Sequence, residues 1–143
     1  MQSRLLERLI NRILKKAFRR AERQLKPLTE PGETLLSSDM CQAGAHLLEI
    51  YTVRSPATFV VVSTKAVYLL QRGQGPLRIP AYAIADVQLK DPPDPLVTIR
   101  LRDGQVIGLL AQGGKPAIFG PDLKALVPAR SRQARQRPRS ESD

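Results

Sequence analysis

Charge in this chain is segregated along its length, and the segregation limits which part can fold as a globular unit. Residues 1–26 hold nine Lys/Arg against two Asp/Glu, a net of +7. Residues 27–128 hold nine of each and are neutral. Residues 129–143 hold five Arg against two acids, a net of +3. A neutral centre suits a packed domain, and two basic ends suit contact with something anionic. The organisation that follows is a basic amphipathic helix over 1–26, a linker over 27–32, a folded domain over 33–128 and an Arg-rich disordered tail over 129–143.

The first segment has no Gly or Pro between Arg4 and Lys26. Its apolar residues recur at spacings of one, three and four, from Leu5 and Leu6 through Leu9, Ile13, Ala17, Phe18 and Ala21 to Leu25. That period places them on one stripe of an α-helix about 35 Å long. Pro27 and Pro31 close it. Leu6, Leu9, Ile13 and Phe18 are the candidate membrane-inserting groups. Arg8, Arg12, Lys15, Lys16, Arg19 and Arg20 flank them, where long cationic stems reach anionic head groups. Such a stripe has three destinations: a membrane surface, the chain's own domain or a second copy through residues 4–25, or nucleic acid. Nucleic acid fits least, because a Leu/Ile stripe adds nothing to phosphate binding and the helix has no aromatic stacking platform beyond Phe18.

Residues 1–15 do not read as a secretory signal, since Arg4, Glu7, Arg8, Arg12 and Lys15 interrupt the apolar run. Glu7, Glu22 and the scarcity of Ser weigh against a transit peptide. No apolar run is long enough for a spanning helix. One cysteine, Cys41, allows no internal disulfide and suits a reducing compartment. The expected location is therefore cytoplasmic, at the inner face of a membrane.

In the centre the pattern changes to short apolar runs. Strands are expected at 33–39, 46–53, 57–64, 66–71, 79–89 with a break at Pro80, and along a hairpin over 97–110 turned by Asp103-Gly104. The run 57–64 is β-branched and apolar on both faces. A short helix over 117–127 follows, with Pro121 in its first turn. About seven strands and a terminal helix predict a mainly β domain, a small antiparallel barrel or sandwich.

The order FVVVSTKAVYLL (59–70), RIPAYAIADVQL (78–89) and VTIRLRDGQVIGLL (97–110), ending in a helix, resembles the GRAM and bacterial pleckstrin-homology-like domains. The resemblance covers roughly residues 33–127. It implies a helix that plugs one end of the barrel, and a non-enzymatic module for lipids or protein partners. Phosphoinositide-binding members carry a basic loop between the first two strands. The stretch expected there, 38–46, has no Lys or Arg, so no specific phosphoinositide site is expected.

Candidate chemistry is thin. Cys41 and His46 are two ligands at most, too few for structural zinc. Asp91 and Asp94 sit among loop prolines, and the glycines of 72–76 and 112–114 lack the strand-to-helix setting and Lys of a phosphate loop. Ser63-Thr64-Lys65 reads as a turn. Neither a metal nor a cofactor is expected, and no catalytic residue. The expected function is a peripheral membrane adaptor whose domain serves a protein partner. The alternatives are an assembly protein with a helix-pairing seam and a nucleic-acid-binding protein.

Overall fold

The computed structural model describes residues 2–44, 57–91, 95–111 and 115–127; within the first helix it describes the side chains of residues 4–6, 8, 9, 12, 13 and 15 onward. Helix α1 runs Gln2–Leu25. Among the described residues seven strands follow: β1 Leu35–Gly44, β2 Ala57–Ser63, β3 Ala66–Gln71, β4 Leu77–Pro80, β5 Ile84–Leu89, β6 Leu96–Leu101 and β7 Val106–Ala111. Helix α2 is Gly120–Ala125.

All seven strands join one antiparallel sheet in the order β4-β3-β2-β1-β7-β6-β5. The chain enters at the middle strand, meanders out to β4, crosses to the far edge through a 3₁₀ turn at Ala81–Ala83, and meanders back to β7. β1 pairs with β2 over Leu35–Gln42 and with β7 over Cys41–Gly44. Ile79 of β4 and Ile84 of β5 stand at opposite ends of the order, yet both belong to one buried cluster with Val60, Val67, Ile99 and Leu109. The sheet therefore curls around a single core. Leu123 of α2 and Phe119, the residue just before it, fill that core from one end, both fully buried. Two bonds to β1 fix it: Ser37 Oγ donates to Asp122 at 2.6 Å, and Asp39 accepts from the Ile118 N–H at 3.2 Å.

Seven antiparallel strands and a plugging terminal helix are the architecture expected from the sequence, with a different make-up. β1 covers 35–44, not 33–39, so most of the stretch expected as a loop at 38–46 is strand. Residues 45–56, which include the strand expected at 46–53, lie outside the described residues. In sequence residues 45–56 contain one Arg and one Glu. The run 79–89 divides at Pro80 into β4 and β5, because proline has no N–H to continue a ladder. The β6–β7 hairpin turns at Asp103-Gly104 through a three-residue loop, not a two-residue one: Leu101 N–H bonds to Gln105 O at 2.8 Å, and Gly104 takes φ +94°. The tail at 129–143 lies outside the described residues.

The strand β2 explains why helix and sheet belong together. Thr58 to Ser63 are all buried. Val60 and Val62 face the central core, whereas Phe59 and Val61 face a second cluster with Ala66 and Tyr68 of β3 and Ala21 and Leu25 of α1. A strand that is apolar on both faces needs cover on both. Here α1 supplies the second cover.

Candidate functional site

The apolar stripe of α1 meets two environments. Toward its C-terminus Ala21 is 2% exposed and Leu25 fully buried, and Ala17 and Phe18 are half-buried against the same outer cluster. Toward its N-terminus Leu5, Leu6, Leu9 and Ile13 are exposed, the last two by 54% and 57%. Arg4, Arg8, Arg12, Lys15 and Lys16 flank this open stretch, all exposed. Leu6, Leu9 and Ile13 are spaced for one helix face and form a continuous apolar strip.

Phe18 does not stand with them. It shares their stripe in sequence, but it packs on the domain and is removed from the set of inserting groups. Arg19 and Arg20 are exposed beside the docked half. The basic face is thus longer than the open apolar strip.

The junction between helix and sheet is built by the segment after α1. The helix ends with Leu28 N–H and Thr29 N–H both bonding to Leu25 O, at 2.8 and 3.0 Å. Glu33 then turns inward, and its side chain is completely buried. Its Oε2 accepts from Ser63 Oγ at 2.5 Å and Tyr68 OH at 2.6 Å; its Oε1 accepts from Glu30 N–H at 2.9 Å and Arg78 Nη2 at 3.1 Å. Arg78 Nε also donates to Tyr68 OH at 3.0 Å, with its guanidinium 5.8 Å from the Tyr68 ring centre. Lys65 Nζ donates to Pro31 O at 2.9 Å. Residues 27–34 are therefore a clamp onto β2, β3 and β4 and not a free linker.

Burial alone would raise the Glu33 carboxyl, but hydrogen bonds from Ser63, Tyr68, the Glu30 backbone and Arg78 outweigh it and hold the group down at about 2. Burial, with the hydrogen bond to Glu33, pushes Tyr68 up to about 12. Hydrogen bonding to Tyr68, despite burial, raises Arg78 above its ordinary value. This network was missed in the sequence, where Glu33 read as the first strand residue.

The other candidates separate. Cys41 is buried in the central core, and burial with the nearby Asp39 charge pushes its thiol up to about 12, so it is a packing residue. His46, Asp94 and 112–114 lie outside the described residues, and Asp91 is exposed. Gly73 sits at φ +80° in the tight turn after β3. Among the described residues no group of His, Cys, Asp or Glu could hold a metal ion, and no helix is long and apolar enough to cross a membrane.

No family model matches the chain, and no curated protein sequence matches it. Solved structures do. The C-terminal domain of an unknown protein from Leishmania infantum aligns at TM-score 0.51 and 11% identity, over 82% of this chain and 97% of that one. At that identity the likeness is one of fold. The linker-DH/PH domains of p115-RhoGEF align at TM-score 0.44 and 15% identity, over 80% of this chain; the chain spans 33% of that structure.

Proposed function

We propose that this chain is a peripheral membrane adaptor without enzymatic activity. The first four turns of α1 lie on an anionic membrane surface, at the inner face of a membrane, and the pleckstrin-homology-like domain is held beside it for a protein partner. One observation carries the reading: Leu5, Leu6, Leu9 and Ile13 stay exposed on a helix whose other end is buried and clamped. A stripe meant only as an internal prop would end where the sheet ends. Arg8, Arg12, Lys15 and Lys16 supply attraction of about 1 kcal/mol each near an anionic surface, before screening.

A second copy is a poorer occupant for the same strip. Residues 4–16 carry five cations and one acid, so pairing two copies would align like charges beside the seam. Docking also lowers the cost of membrane binding, since the helix is nucleated from its fixed end. Vesicle co-sedimentation tests the reading. Binding to anionic vesicles should fall with salt and fall again in the Leu9→Ser, Ile13→Ser double variant; equal binding by that variant would rule out insertion.

A further inference from the structure

Between the docked half of α1 and the end of β3 lies an open groove with a volume of about 570 Å³. Its floor includes Ala17, Phe59 and Leu70, and its rim carries Arg20 and Arg72 with Gln24 and Gln74. The groove exists because the stripe, elsewhere Leu, Ile and Phe, has alanine at 17 and 21, which leaves unfilled space against the sheet. The lining contains two arginines and no carboxylate, and among the described residues neither arginine has an ion-pair partner. Ala17 is one helical turn beyond Ile13 on the same face, so the groove continues directly from the exposed strip.

We infer that this groove holds one anionic phospholipid molecule, its phosphate between Arg20 and Arg72 and the start of its acyl chains along Ala17, Phe59 and Leu70. An apolar floor with a cationic rim matches a ligand that is anionic at one end and apolar at the other, and the volume is that of a small-molecule site. Two guanidinium groups give phosphate charge-assisted bonds. The choice of a lipid over a soluble anion rests on the membrane reading above, because only a lipid would arrive along the strip from Ile13.

The test titrates monomeric short-chain phosphatidylglycerol into the full-length chain and follows amide resonances, with inorganic phosphate as the comparison. Saturable shifts are expected at Ala21, Leu70 and Gly73. They should weaken about tenfold or more in the Arg20→Gln, Arg72→Gln variant and disappear in Ala17→Leu, which fills the groove without changing charge. No shift at these amides overturns the inference. So does an Ala17→Leu variant that binds normally, or phosphate reproducing the same shifts. Vesicle sedimentation of the same samples separates the two ideas. Wild-type binding to anionic vesicles with no groove shifts would sink the groove and leave the membrane reading. Groove shifts without vesicle binding would sink the membrane reading.

Discussion

Arg78 Nη2 lies 3.1 Å from Glu33 Oε1, and this bond joins β4 to the segment that ends the N-terminal helix. Forty-five residues separate the partners. Their meeting turns a basic helix and a neutral domain into one packed body. Glu33 accepts four hydrogen bonds, enough to offset the burial of its charge.

Removing that carboxylate should be costly. Glu33→Ala removes the acceptor of the Tyr68 phenol and the nearer carboxylate of a largely buried Arg78, which keeps only Glu30 at 3.7 Å while Ser63 Oγ keeps Ala66 O at 3.1 Å, and should destabilise the fold by about 2–3 kcal/mol. Urea unfolding should show a lower midpoint. Amide exchange should quicken first across residues 17–25, which lose their clamp.

The same network sets a pH window. Glu33 has its folded value lowered from 4.5 to about 2, so the stability it contributes is present above 4.5 and is lost as pH falls toward 2. Tyr68 is raised from 10.0 to about 12 and Cys41 from 9.0 to about 12, so their contribution is complete below pH 9 and is lost as pH rises toward 12. Thermal melts across pH should be flat in the middle as far as these groups are concerned. Tyr68→Phe should weaken the alkaline decline and leave part of it to Cys41.

Deleting residues 1–26 tests what α1 covers. Phe59, Val61, Ala66 and Tyr68 would lose their outer cover. The shortened chain should bind a hydrophobic dye and self-associate, so light scattering should show a larger particle than the full-length protein does. A monodisperse, dye-silent domain would contradict the docking of the helix.

Packing of Leu25 is the corresponding point test. Its side chain is fully buried between α1 and the sheet. Leu25→Ala should cost about 2–4 kcal/mol through lost burial and the cavity left behind. The same change at exposed Leu6 should alter stability by about 0.5 kcal/mol or less.

Much of this arrangement is legible in the sequence, for identifiable reasons. The run 57–64 shows its double burial directly, because Thr58 to Val62 offer no alternation. Asp103-Gly104 marks its turn, and Pro80 marks the corner between β4 and β5. What hides is anything set by distant pairing. β1 reads as ending at Asp39 because Asp39, Gln42 and Gly44 look like loop residues; they are half-buried within the strand, and Asp39 is answered by the N–H groups of Met40 and Ile118. Glu33 and Arg78 are ordinary charges until the sheet brings them together. Phe18 shares a stripe with Leu9 and Ile13, and helical spacing cannot say where the edge of a sheet will cut that stripe.

The claim that matters most is that α1 is two devices on one helix, a fixed half and a free half. The chain has no tryptophan, so a single Leu9→Trp substitution reports its own surroundings by fluorescence. Emission should be that of a water-exposed indole in buffer and with neutral vesicles, and should move to the blue and be quenched by brominated lipid when anionic vesicles are added. Emission that is already blue in buffer, or that stays unchanged with anionic vesicles, would contradict the account.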